Sequence, residues 1–396
     1  MEFTGLKREQ VNLQDDRSAN GIAGTKPAKR ADPRAAHTIL PVRNLDVLRA
    51  CAVLGVLTQH LSYSQQLEGF EWLGRAGVLV FFVHTAVVLM ASLERERSEP
   101  GWVRAFYIRR IFRIYPLAWL VIALVLFLGV PSGSSVRGVV EPFQVLSWSE
   151  ITANVLLMQN IAGSRLVQIV FWTLPLEVQM YIALPAVFLL ARSGVRWMVI
   201  AVVISFVVGI WWELERAQMH GLWRFTILAF VPCFFAGALA YAGLRHRRRI
   251  SLPAALWLPL LIALGLSYSP FNMRAKVYSA QPSQWVFCLA VALGIVFVRE
   301  LSNSWLTRAA HVIATYSYGI YLLHPVVIWL AFVSLRAQPI EIQWLAFVAG
   351  LPLSAWIAFH AIERPGIRLG RSLAHSLRRR SDREFVEDPT LGNVAP

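Results

Sequence analysis

The hydrophobic positions of this chain form long continuous runs, not the alternating pattern of exposed strands or the single stripe of a soluble helix. From residue 44 onward, runs of about 17 to 25 apolar residues recur between short polar segments, each long enough as a helix to cross a bilayer. This pattern predicts an all-α, polytopic membrane bundle of about ten transmembrane helices. We place them at residues 44–63, 73–93, 110–130, 170–191, 196–213, 222–243, 253–269, 284–299, 312–334 and 343–362.

The distribution of basic residues along the chain predicts which segments face the cytoplasm. Most of the 38 Lys and Arg residues lie in segments that share one side of the membrane if both termini are cytoplasmic. Cytoplasmic loops carry such an excess, so we predict cytoplasmic termini in a multi-pass protein of the bacterial inner membrane. The membrane topology then explains the net charge of +15. We expect membrane lipids as partners, and no nucleic acid. The three cysteines lie inside predicted spans at no metal-ligand spacing, so no metal site is predicted.

The polar segments predict the domain organisation. Residues 1–40 lack apolar periodicity and are expected to form a disordered cytoplasmic tail. Residues 41–366 would form the membrane domain, whose last helix we expect to stop at Pro365, and residues 367–396 a basic, mobile cytoplasmic tail. The longest outer loop, residues 131–169, is a candidate lid over a bound acceptor.

Ionisable residues interrupt the first predicted span. Arg49 and His60 are eleven positions apart, which places them on one helical face about 16 Å apart along the axis, and Asp46 falls near that face. Charges at bilayer depth are costly and indicate function. The alternative is that Asp46 and Arg49 lie at headgroup level and that His60 ends the helix in the opposite interface.

Arginines mark the entrance to the third span. Arg109 and Arg113 form an i, i+4 pair on one face, as expected for gripping a phosphorylated ligand, and Arg110 is predicted to point elsewhere. The positive-inside rule would also produce arginines at this position without any ligand.

The fourth span contains a single carboxylate, Glu177, with Tyr181 one turn further on the same face. An intramembrane glutamate indicates either an essential ion pair, with Arg49, Arg109, Arg113 or His60 as the partner, or a proton carrier. His84 in the second span is interpreted as a buried packing residue.

Five ordered sequence elements resemble the acyltransferase 3 family of membrane proteins. They are LDVLRACAVLGVLTQH (45–60), FYIRRIFRIYP (106–116), WTLPLEVQMY (172–181), SYGIYLLH (317–324), which carries Tyr321 and His324, and the closing Glu363 to Pro365. The chain departs from the family pattern in the second span, at FFVHTAV (81–87), and in the WTLPLEVQMY element. Thr85 and Ala86 stand where the family has Ser and Gly, and Thr173 and Pro175 stand where it has serines.

The resemblance implies transfer of an acyl group, most often acetyl, from acyl-CoA as co-substrate to a hydroxyl of a glycan or glycolipid, with no resident cofactor. Arg49, Arg109 and Arg113 would then bind the donor. His60 would be the general base, with Glu177 as the second catalytic residue and no other histidine near enough to replace His60. The supporting residues would be Asp46, Tyr181, Tyr321, His324 and Glu363.

Other functions fit the same polar residues. The acceptor could be a macrolide or another small molecule instead of a surface polysaccharide, a lipid-linked sugar or a signalling oligosaccharide. A proton- or anion-coupled transporter would also need buried Arg, His and Glu, although inverted repeats or paired broken helices would then be expected.

Overall fold

The computed structural model describes residues 40–133, 135–215, 224–246, 252–257 and 282–387, with side chains up to residue 377. This part of the chain is helical and contains no β-strand. Its α-helices are α1 (Val42–Ser64), α2 (Glu71–Glu96), α3 (Trp102–Leu128), α4 (Trp148–Val155), α5 (Gln159–Ala162), α6 (Leu174–Ser193), α7 (Val195–Glu215), α8 (Ile227–Arg245), α9 (Pro282–Phe297), α10 (Trp305–Trp329), α11 (Ile340–Ala358) and α12 (Arg364–Glu387). Short 3₁₀ segments cover Ile169–Thr173 and Ala254–Leu256, and π-helical segments cover Leu330–Ser334 and Phe359–Glu363.

The predicted all-α membrane class is confirmed. In the described ranges, 7 helices are long and apolar enough to cross a membrane. The 16-residue α9 is apolar but shorter. With 23 residues α1 has the length of a span, but its charged and amide side chains lower its apolar content. The predicted span at 253–269 and the tail at 1–40 lie almost entirely outside the described residues, so the count of ten, the sidedness and the domain boundaries stay predictions.

Two helices are the most enclosed of the seven candidate spans. In α2, 78% of the apolar window is buried, and in the segment containing α10 the figure is 72%. Helix α1 packs against both of them. A small residue permits this packing: a Cβ on Gly77 would stand 2.4 Å from the carbonyl oxygen of Ala52, closer than any side chain allows. The polar face of α1 is therefore held inside the bundle.

The predicted end of the last helix at Pro365 is wrong. The chain continues from α11 through the π-helical segment into α12. Pro365 is the second residue of α12 and directly follows the π-helical segment Phe359–Glu363, where the regular i→i−4 hydrogen bonds are already interrupted, so its missing N–H does not stop the helix. Helix α12 then packs on α3 at Gly366, where a Cβ would lie 2.7 Å from the carbonyl oxygen of Phe112. That carbonyl lacks its usual helical donor because Pro116 follows four residues later.

Candidate active site

A cavity of about 90 Å³ lies within the bundle between α1, α2, α3, α6 and α10. Its volume is below the range of about 300–1,000 Å³ typical of sites that enclose a whole drug-sized ligand. A long substrate could therefore insert only one end. Its polar lining residues are Arg49, His84, Thr85, Arg110, Arg113, Thr173, Glu177, Tyr181, Ser317, Tyr318 and Tyr321.

Arg49 reaches this cavity from α1. Its Nε donates a 2.6 Å hydrogen bond to Oγ of the fully buried Ser317 on α10. The Ser317 hydroxyl in turn donates to the carbonyl oxygen of Ala314 at 2.8 Å. A guanidinium fixed in this way keeps further N–H groups for a ligand, because it carries five donors. The predicted functional placement of Arg49 inside the protein agrees with this geometry.

Arg113 enters the same cavity from α3 and is paired there. Its Nη1 lies 3.2 Å from Oε2 of Glu363, whose side chain is completely buried. The π-helical segment that precedes α12 places Glu363 beside Gly319, where a Cβ would be 3.4 Å from Glu363 Oε1. The family's closing element and its arginine element are thus brought together as a buried ion pair.

The structure reverses the expected orientations of the two neighbouring arginines. Arg110 lines the cavity, so the prediction that it points elsewhere is wrong, and its buried Nε has no hydrogen-bond partner among the described residues. Arg109 instead forms an ion pair with Glu96 and is not part of the cavity lining. Of the predicted i, i+4 pair only Arg113 reaches the cavity, because helix position alone does not show that Glu96 captures Arg109.

Glu177 faces the three arginines from α6. Its Oε2 accepts a 2.8 Å hydrogen bond from the Tyr181 hydroxyl one turn further along, which agrees with the predicted shared face. Arg49, Arg110 and Arg113 bring three positive charges, against which stand the carboxylates of Glu177 and of Glu363 behind the wall. This leaves one formal positive charge in a buried space, a composition that favours an anionic ligand.

His60 lies beyond one end of the cavity, next to a second histidine. The ring centroids of His60 and His324 are 5.0 Å apart, and His324 is also 6.2 Å from the ring of Tyr321, which lines the cavity. His324 Nδ1 is 3.1 Å from the Ile320 carbonyl oxygen, and its buried Nε2 has no hydrogen bond with a described residue. The expectation that no histidine stands near His60 is therefore wrong. Sequence spacing could not reveal a neighbour on another helix.

Asp46 does not join the site. Its Oδ2 lies 2.8 Å from Nδ1 of His311, near the opposite end of α1 from His60. The fourteen positions between Asp46 and His60 correspond to about 21 Å of helix, too far for one side chain to orient the other. His311 had no signal in the sequence.

Two of the departures from the family pattern line the cavity. Thr173 Oγ1 shares a 2.9 Å hydrogen bond with the Tyr321 hydroxyl, which also donates to the Val170 carbonyl oxygen at 3.0 Å. Thr85 lines the same wall, beside the buried His84, whose Nδ1 has no partner among the described residues. His84 thus lines the cavity, whereas the sequence suggested a packing residue.

Comparison with known families agrees with this set of elements. The model of the acyltransferase 3 family, described as an acyltransferase domain, matches residues 42–362. The chain belongs to this family. The matched range includes Arg49, His60, the arginines of α3, Glu177 and the SYGIYLLH element.

Several curated acyltransferases are similar to the chain. The peptidoglycan O-acetyltransferase OatA of Listeria monocytogenes is 26% identical over 82% of this chain and 55% of its own length. The O-acetyltransferase OatA of Staphylococcus aureus is 25% identical over 86% of this chain and 59% of its own. A putative O-acetyltransferase of Staphylococcus aureus is 31% identical over 37% of this chain and 24% of its own. The chain thus spans little more than half the length of the two OatA relatives, and no solved structure matches it.

Proposed function

We propose that this acyltransferase moves an acyl group, in the first place acetyl, from acyl-CoA to a hydroxyl of a carbohydrate-containing acceptor. The observation that carries the proposal is the continuity between two sets of residues. A buried cavity lined by three arginines borders Tyr321, Tyr321 contacts His324, and His324 contacts His60. A cationic binding space is thus joined to a pair of imidazoles.

The cavity supports an acyl-CoA donor through its charge and its size. Guanidinium groups bind phosphate oxygens with planar, paired N–H donors, and Arg110 Nε is buried without a partner. The surplus positive charge would be compensated by a phosphate of the donor. Because the cavity is small, the nucleotide end of acyl-CoA would remain at its mouth, and the pantetheine arm would extend along the face of α1 toward His60.

His60 is proposed as the general base. Its neutral imidazole removes the proton from the acceptor hydroxyl while the hydroxyl oxygen bonds to the acyl carbon. The carbon–sulfur bond of the thioester then breaks, and the imidazolium returns the proton to the departing CoA thiolate. The products are an ester and free CoA, so atoms and protons balance. General acid–base catalysis of this kind contributes about 10²- to 10⁴-fold.

A carbohydrate acceptor is supported by the similarity to a peptidoglycan O-acetyltransferase, OatA of Listeria monocytogenes. The direction of α1 suggests how the acceptor arrives. With a cytoplasmic amino terminus, Arg49 lies in the inner half of α1 and His60 three turns nearer the outside. Donor and acceptor would then meet from opposite sides of the membrane.

Sealed vesicles test this proposal. Inside-out vesicles that contain the protein should consume radiolabelled acetyl-CoA added outside and place the label on a glycan enclosed within, whereas right-side-out vesicles should not use external acetyl-CoA. Vesicles without the protein are the control. Absence of labelled ester in any arrangement would contradict the proposed activity. Labelling of an impermeant acceptor added on the same side as acetyl-CoA would instead identify a cytoplasmic small-molecule acceptor.

A further inference from the structure

A second pocket, of about 360 Å³, opens at the carboxyl end of α1 and has no assigned role. Its lining is mostly polar and comes from three parts of the chain: the end of α1, the loop after α3, and the stretch from the π-helical segment Leu330–Ser334 to the first turn of α11. The lining residues are Ser64, Gln65, Gln66, Arg137, Gly138, Phe332, Arg336 and Gln343. The volume falls in the range of sites that enclose a small ligand.

We infer that this pocket binds a carbohydrate bearing a carboxylate or another anionic group, and that it holds the acceptor in the proposed reaction. The inference deepens the proposed function and rests on it for the role as an acceptor site, although binding can be measured on its own. Ser64 is one helical turn, about 6 Å along the axis, beyond His60 on α1. An acceptor in this pocket would thus lie directly above the proposed base.

The charge of the pocket points to an anion. Arg137 and Arg336 both line it, and within the described residues neither guanidinium forms an ion pair. The loop that carries Arg137 is fixed at this place, because its amide N–H donates to the Ser64 carbonyl oxygen at 2.8 Å. The next amide, of Gly138, donates to the Phe332 carbonyl oxygen at 3.2 Å.

The amide side chains point to a hydroxyl-rich ligand. Gln343 is 4% exposed, and its Nε2 donates to the Gln338 carbonyl oxygen at 2.9 Å, but its buried Oε1 has no partner among the described residues. Gln65 and Gln66 add two more amides that can donate and accept. The phosphate of a lipid headgroup would need the arginines alone, whereas an anionic carbohydrate uses the arginines for its charged group and the amides for its hydroxyls.

Gln66 gives an independent indication. It follows the end of α1 with φ of 58°, in the left-handed region, and the hydrogen bonds from Gln66 N to Tyr63 O and from Leu67 N to Ser62 O form a Schellman cap. Glycine is the favoured residue at this position because it lacks a Cβ. A glutamine there accepts backbone strain and directs a long amide into the pocket, a pattern found at functional sites.

The test uses the full chain in phosphatidylcholine nanodiscs, with trigalacturonate as the anionic probe and galactotriose as its neutral counterpart. Saturation-transfer NMR titrations should show trigalacturonate binding at least tenfold tighter than galactotriose. Joint Arg137→Ala and Arg336→Ala replacement should reduce this affinity to that of galactotriose, and Arg308→Ala, at the other end of α10, should leave it unchanged. Gln66→Gly should weaken binding about threefold to tenfold while the thermal midpoint stays equal or rises, since the strain is relieved.

Equal binding of the two probes, or unchanged affinity in the double arginine variant, would overturn the inference. So would displacement of trigalacturonate when phosphatidylglycerol replaces a third of the lipid, because the pocket would then be a phosphate site for lipid. Acetyl-CoA binding is measured in the same samples. Absence of acetyl-CoA binding in the wild-type protein would contradict the proposed function. The carbohydrate titration would still test whether the pocket binds an anionic sugar.

Discussion

Buried polar groups at the two ends of α1 are held in different ways. At the Arg49 end, permanent charges are fixed by hydrogen bonds and opposed by carboxylates, as in the contacts of Arg49 with Ser317 and of Arg113 with Glu363. At the His60 end, two imidazoles lie 5.0 Å apart with their planes inclined by 52°, and His324 Nε2 has no hydrogen bond with a described residue. Fixed charges suit the binding of an anion, whereas a neutral imidazole can accept a proton from a hydroxyl and so suits chemistry.

The largest expected effect is at the histidine end. His60→Ala should lower the rate of acyl transfer about 10²- to 10⁴-fold at equal protein level, because it removes the general base. This rate is measured as the transfer of radiolabel from acetyl-CoA in membranes that contain the protein. His360→Ala is the matched control, since His360 contacts Trp356, at 4.6 Å between ring centroids, and lines neither pocket.

The neighbouring histidine decides how this result is interpreted. If His324 can serve as the base, His60→Ala retains activity within a few-fold of wild type, and only the double His60→Ala, His324→Ala variant loses it. That outcome would assign the chemistry to the pair and not to His60.

The next effect is at the arginine end. Arg110→Ala should raise the KM for acetyl-CoA about tenfold to a hundredfold, the range for a lost hydrogen bond to a charged group, with little change in the KM for the acceptor. Arg109→Ala is its matched control, because Arg109 pairs with Glu96 outside the cavity. Equal effects of the two substitutions on the donor KM would remove the cavity from donor binding.

Glu177→Gln should have an effect of intermediate size, with opposite directions for donor affinity and for kcat. The glutamine oxygen can still accept the Tyr181 hydrogen bond, so the amount of folded protein should hold. With one negative charge fewer, the cavity should bind acetyl-CoA several-fold tighter, while kcat falls if the carboxylate takes part in the reaction. Equilibrium binding and steady-state kinetics separate the two. A marked loss of folded protein would show that Glu177 acts instead as an essential counter-ion.

The smallest effect is expected in the segment between α3 and α6. Glu150 caps α4 in a capping box with Ser147, and hydrogen bonds from Arg165 and then the Ser147 amide hold the pKa of the Glu150 carboxyl well below its usual range. A depressed pKa means that this anchor contributes fully above the ordinary value of 4.5 and is lost as the pH falls from there through the lowered pKa of the Glu150 carboxyl.

Glu150→Gln should therefore speed hydrogen exchange in residues 147–165 at pH 7 and change the rate of acyl transfer less than twofold. A large loss of activity would mean that the anchored loop takes part in the reaction.

The sequence was sufficient to predict the membrane class and the residues of the family elements, because apolar run length and motif order are local properties. It was not sufficient to predict partners on different helices. The orientation of Arg110, the capture of Arg109 by Glu96 and the contact of His60 with His324 depend on how helices rotate against one another. The continuation past Pro365 was missed for a related reason: proline both ends helices and begins them.

Equilibrium binding of radiolabelled acetyl-CoA to the purified wild type, His60→Ala and Arg110→Ala tests most directly whether binding and chemistry lie at opposite ends of α1. The account predicts a Kd within about twofold of wild type for His60→Ala, although transfer is lost, and a Kd at least tenfold higher for Arg110→Ala. A rise in Kd for His60→Ala as large as that for Arg110→Ala would contradict it.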